Sequence, residues 1–216
     1  MFMKKLVPTT ALALLVLGGT AHSAYAAISA DGKSGDTKTT VGFSDDNSTV
    51  DPTEGSIGLT RVPSSFDFGK SNKVSSTVQS IAATNAGAQY VTATDLRTAK
   101  TNWSITAQAS EMVNVMDTTD KISNATLQIS GDAMSQGDGA WSSTNDVAVN
   151  TLNLNAGGDS ATFISTTAAD TSSLPGQEVG ARLRNVQLNL AANQGTAEQQ
   201  YGGTVTWNLE NVPNPS

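Results

Sequence analysis

Beyond Gly55 the chain is a succession of short stretches in which apolar and polar residues alternate. Ile57 and Leu59 share one parity, as do Phe66 and Phe68, Leu127 and Ile129, Leu152 and Leu154, and Val186, Leu188 and Leu190. Two stretches are longer. In one, Trp103, Ile105, Ala107 and Ala109 alternate with Asn102, Ser104, Thr106 and Gln108. In the other, Tyr201, Val205, Trp207 and Leu209 alternate with Thr204, Thr206 and Asn208. Successive side chains of a strand point to opposite faces, so this period gives each strand one apolar and one wet face. Clusters of Gly, Asn, Asp and Ser, such as "SGDAMSQGDGAWSS" and "NAGGDS", separate the stretches. No segment carries a helical period of apolar residues. The pattern predicts an all-β fold: a single antiparallel, Greek-key-like β-sandwich domain over 56–216.

Upstream the pattern fades. Residues 27–55 are polar and acidic and read as an arm or linker, with at most a short strand at Val41–Ser44. The acids Asp45, Asp46, Asp51 and Glu54 do not form a calcium loop of the EF-hand type, because Val50 stands where that loop needs glycine. Residues 1–26 have Lys4 and Lys5, an apolar run from Leu6 to Leu17 and the exit Ala24-Tyr25-Ala26. That is the layout of a secretory signal peptide, with the mature chain expected to begin at Ala27. The run is short for a bilayer, so no membrane span is expected after cleavage.

Setting that segment aside changes the chemistry available. It removes two lysines and the only histidine, His22, but no acid, and moves the net charge from −7 to −9. With no histidine or cysteine left, nucleophile systems that rest on an imidazole base and zinc sites built on imidazole or thiolate are excluded. Disulfide stapling is excluded as well, and no metal or cofactor is expected. The acidic balance speaks against nucleic acid and against simple adhesion to anionic surfaces. Charged residues make up 14% of the chain, with Ser, Thr, Asn and Gly in their place, which suits an extracellular β protein. Carboxylates alone can hydrolyse glycosides, and Asp95, Glu111 and Asp117 are candidate acids. No motif brings any two of them together, and no enzyme activity is expected.

The two tryptophan strands share a design of polar residue, Trp, polar residue and aliphatic residue. The late stretch "YGGTVTWNL", with Tyr201, Trp207 and Leu209, resembles the distal motif of the WxL domain of Gram-positive surface proteins. Trp103-Ser104-Ile105 is similar to the proximal motif, with Ile where Leu is usual. The surroundings "VDPTEG", "LTRVPSSFDFG" and "QYVTATDLRTAKTNWSITAQAS" agree, and the resemblance spans 57–213. It implies a secreted, wall-associated protein that binds peptidoglycan non-covalently and assembles with a companion membrane-anchored surface protein. Consistent with anchoring by binding, "SLPGQE" is internal and is no sortase signal, and there is no lipobox cysteine.

Two roles are open for Trp103 and Trp207. They are platforms stacking on sugar rings, or they are core, which their in-phase neighbours Ile105, Val205 and Leu209 favour. Trp141 lies among turn formers in "SQGDGAWSS" and is the candidate loop contact. Its alternative role is a plug over a sheet edge. A second function class is an adhesin or assembly subunit that contacts a protein or host ligand through an edge strand. The terminal strand, followed by Pro213 and Pro215, is the candidate edge.

Overall fold

The computed structural model describes residues 27–28, 33–39, 48–49, 52–98, 101–122, 124–137, 139–166 and 177–211. The signal-type segment 1–26 and the short strand expected at 41–44 lie outside them. The strands are β1 (Ala27–Ile28), β2 (Ser34–Thr39), β3 (Ser48–Thr49), β4 (Ile57–Val62), β5 (Gln79–Ala82), β6 (Tyr90–Asp95), β7 (Trp103–Ala109) and β8 (Met112–Asn114). They continue with β9 (Lys121–Ile122), β10 (Thr126–Gly137), β11 (Ala140–Ser143), β12 (Val147–Val149), β13 (Leu152–Asn155), β14 (Ala161–Thr166), β15 (Glu178–Leu190) and β16 (Tyr201–Asn211). One short 3₁₀ turn at Ala86–Ala88 completes the set.

These strands form two antiparallel sheets packed as a sandwich. The first runs β1-β2-β16-β7-β14-β12, with β8 and β9 extending one end of β16. The second runs β11-β10-β15-β6-β4-β3, with β13 beside β10 and β5 beside β15. The chain changes sheet repeatedly, for instance from β6 to β7, from β14 to β15 and from β15 to β16. The apolar parities seen in the sequence all turn inward. Leu59, Phe66, Val91, Ile105, Ile129, Leu154, Leu183, Val186 and Val205 are fully buried between the sheets.

Local irregularities have physical causes. On β14 a register shift between Thr162 and Ile164 lets the successive residues Phe163 and Ile164 both enter the core, which strict alternation forbids. On β10 the register shifts at Ser130/Gly131, where a Cβ on Gly131 would fall 2.7 Å from the Arg182 carbonyl oxygen. Only glycine lets the two backbones approach that closely.

Two expectations are corrected. Residues 34–39, within the stretch read as a loose arm, are strand β2, paired with β16 from Gly203↔Thr39 to Asn208↔Ser34. The terminal strand is consequently not an edge. β16 lies between β2 and β7, with a backbone neighbour on each side.

Candidate functional site

The paired motifs occupy adjacent strands. β7 and β16 run antiparallel in the register Trp103↔Asn211, Ile105↔Leu209, Ala107↔Trp207 and Ala109↔Val205. The aliphatic residues of the two W-x-aliphatic triplets are therefore direct cross-strand partners. Because the strands are antiparallel, one indole flanks that pair on each side along the ladder. Directly opposite residues on one face are the closest side-chain neighbours a sheet offers. Facing Trp207 is the small Ala107, which leaves room for the ring.

The face in question is the inner one. Trp207 is 0% exposed and Trp103 3%. Ile105 and Leu209 are buried with them. The Trp207 ring packs against Phe163 of β14, with centroids 5.6 Å apart and planes at 51°, the tilted arrangement aromatic pairs favour. In this structure neither indole presents a face to solvent.

Tyr201, the first residue of the distal motif, is half-buried and works through its hydroxyl. The hydroxyl donates to Asp120 Oδ2 at 2.6 Å and accepts from the Thr196 amide at 2.9 Å. Asn114 Nδ2 donates to the same carboxylate oxygen at 3.0 Å and to Gln199 Oε1 at 3.2 Å. These hydrogen bonds, from Asn114 first and Tyr201 second, hold the Asp120 carboxyl below its ordinary pKa. The network ties the β8–β9 turn to the loop leading into β16.

Beside Tyr201 a cleft of about 110 Å³ opens at one end of the sandwich. Its floor is apolar, with Phe68, Ile81, Met112, Ile122, Leu188 and Leu190. Its rim carries the side-chain amides of Asn72, Gln79 and Gln199 together with Lys70 and Lys73. No sequence signal singled out this cleft, since its lining comes from five separate segments.

Trp141 is placed differently from expectation. It lies on strand β11, in a hairpin where it pairs with Gln136 of β10. Trp141 is half-buried, between exposed Ala140 and Ser142. Its ring stacks on Tyr90 of β6 at 4.5 Å between centroids and 20° between planes, and the Arg61 guanidinium stands 5.7 Å from the indole centroid. That distance is within the range of a cation–π contact. Arg61 Nε also donates to Glu178 Oε1 at 2.7 Å, and the Thr92 hydroxyl donates to the same oxygen. Val91 and Ala93 fill the core, so Tyr90 and Thr92 belong to the outer face of β6.

Between β11 and β6 in sheet order stand β10 and β15, and Gly180 of β15 lies in that span. A Cβ on Gly180 would fall 2.1 Å from the Val91 carbonyl oxygen, so β15 and β6 come closer there than any side chain permits. The result is an outer-face patch with two stacked rings, a guanidinium, a carboxylate and hydroxyls. Sequence reasoning had found Trp141 but neither Tyr90 nor Arg61, whose association with it is non-local.

The candidate acids are held apart and engaged locally. Asp95 of β6 pairs with Arg97 at 2.7 Å, and Glu111 pairs with Lys121 at 2.6 Å. Asp117 accepts from the Thr119 hydroxyl and amide in the β8–β9 turn, which lowers its pKa. Among the described residues no three acids gather as a metal site would need.

A family model described as WxL domain, surface cell wall-binding, matches residues 30–213. Comparison with the curated proteins and with the solved structures gives no match.

Proposed function

This chain belongs to the WxL domain family of surface cell wall-binding proteins, and from that premise we propose that it is exported, loses residues 1–26 and binds peptidoglycan non-covalently and without catalysis. The contact is the outer-face patch of Trp141, Tyr90 and Arg61, rather than the tryptophans of the motif. One observation carries this choice. The motif indoles are 0% and 3% exposed, whereas Trp141 is partly open to solvent on the outside of a sheet. Stacked aromatic rings give apolar area to the faces of sugar rings at little entropic cost. Arg61, Glu178 and Gln136 beside them supply donors and acceptors for hydroxyl and acetamido groups. The patch pairs its cation, Arg61, with Glu178, so local hydrogen bonding and stacking drive the contact, not bulk charge.

The test is co-sedimentation with purified, acid-stripped peptidoglycan. Wild type is expected to pellet. Trp141→Ala and Tyr90→Ala are expected to stay largely in the supernatant at nearly unchanged melting temperature. If both variants pellet like wild type, the patch is not the contact. If wild type itself stays soluble, direct binding to peptidoglycan is refuted for this chain.

A further inference from the structure

We propose that the cleft beside Tyr201 is a docking site for another protein, which inserts one aliphatic side chain of an extended acidic segment. Four observations converge on it. The first is size. At about 110 Å³ the cleft is of the same order as the roughly 150 Å³ cavity that accommodates benzene. One branched aliphatic side chain fits it.

The second is the floor, whose lining side chains are aliphatic, aromatic or thioether. An apolar floor of this kind rewards an apolar anchor and penalises unpaired hydroxyls set against it.

The third concerns the surroundings of the mouth. Among the described residues, the large apolar side chains that stand exposed are Val74, Val78, Val115 and Met116, the last 86% exposed. Val74 lines the cleft itself and Val78 directly precedes Gln79 of its rim. Val115 and Met116 follow β8, and the Val115 amide donates to the carbonyl of Gln200, another lining residue, at 2.9 Å. The exposed apolar surface thus gathers on the two segments that frame one hole. Exposed apolar side chains grouped around a pocket are a feature that protein contact sites share.

The fourth is charge. Lys70 and Lys73 both stand on the rim in a chain of net charge −7. Lysines at the mouth favour an acidic partner segment over a basic one.

This inference is independent of the outer-face patch on the second sheet, and its test is separate. The exported chain, 27–216, labelled with ¹⁵N, would be titrated with the peptide acetyl-Asp-Glu-Leu-Asp-Glu-amide, with its Leu→Ala version, and with a soluble tetramer of N-acetylglucosamine. Amide shifts from the leucine peptide are expected at 70–79, 113–116 and 194–201. The alanine peptide is expected to bind at least tenfold more weakly. A Lys70→Glu/Lys73→Glu double variant should lose the response, and so should Ile81→Phe, which fills the hole. Melting temperatures of both would be measured alongside, and the exposed lysine variant guards against misfolding of the other. No shift at millimolar leucine peptide would overturn the proposal, as would equal binding of the alanine peptide. Cleft shifts produced by the glycan instead would make it a sugar subsite and equally refute a protein partner.

Discussion

Replacing Trp207 by alanine separates the two roles open to the motif. The ring is 0% exposed, touches Phe163 at 5.6 Å and faces Ala107 across the ladder. An aromatic side chain buries about 150–250 Å², and at ~25 cal/mol per Å² its burial contributes roughly 4–6 kcal/mol. Alanine keeps only a methyl group, and rigid neighbours on three strands prevent collapse of the hole. The loss should fall in the range of about 3–5 kcal/mol seen for such truncations. For a domain of this size each kcal/mol moves the melting temperature by about 2–4 °C, so a drop of roughly 6–20 °C is expected. Trp207→Phe, which keeps the stack on Phe163, should lose clearly less. The assay is a thermal melt of each variant beside peptidoglycan co-sedimentation at a temperature where the variant is still folded. Under those conditions Trp207→Ala should still pellet. A variant that melts like wild type yet no longer pellets would refute the burial argument and make the indole a contact.

Further predictions concern the packing and the hydrogen-bond network. Ile105→Leu conserves volume opposite Leu209 and should cost less than about 1.5 kcal/mol by denaturant titration. Gly180→Ala puts a Cβ against the backbone of β6, which cannot yield as a side-chain tip can. It should lower the melting temperature and also weaken peptidoglycan binding, because β15 is part of the support under Trp141 and Tyr90. Tyr201→Phe removes one of the hydrogen bonds that depress the Asp120 pKa. A depressed carboxyl stabilises the fold above its unfolded pKa of about 3.9 and loses that contribution as pH falls through the folded value. The stability gap between wild type and Tyr201→Phe should accordingly be full at pH 7 and begin to narrow below about pH 4, down to the part that the Thr196 amide bond contributes. A gap that stays constant down to pH 2 would show that the hydroxyl acts otherwise.

What could be read from the chain follows from what side chains advertise. One-sided alternation exposes β7, β10, β15 and β16, because each packs an apolar face on the core and carries mostly polar residues on the other. β2 escaped notice because its sequence, SGDTKT, has no apolar residue to mark a face. Its place is defined by backbone pairing with β16, and polar backbone pairing leaves no period in a sequence. The error about β16 followed directly, since a strand looks like an edge when its neighbour is invisible. Trp141 reads as a loop residue in the sequence because glycines and serines surround it. Gly139 does turn the hairpin, at a φ of +79°, yet the residues after it pair with β10. Tyr90 and Arg61 cannot be joined to Trp141 from the sequence at all, for separations of 51 and 80 residues carry no local signal.

The register of β7 and β16 also explains how a buried motif can identify a surface-binding family. Two W-x-aliphatic triplets on adjacent antiparallel strands put the aliphatic pair Ile105–Leu209 at the centre and one indole on each side of it. Shifting either triplet by one residue would turn its side chains to the wet face, and shifting it by two would break the aliphatic pairing. The spacing is therefore constrained by the ladder itself, together with Ala107, which makes room for Trp207. Binding residues on the outside face no such demand. Trp141 sits on the short hairpin strand β11 at the margin of the second sheet, where side chains can change without disturbing the core. A domain built this way keeps its packing pattern readable in the sequence, while the outer-face residues proposed as its contact carry no such periodic mark.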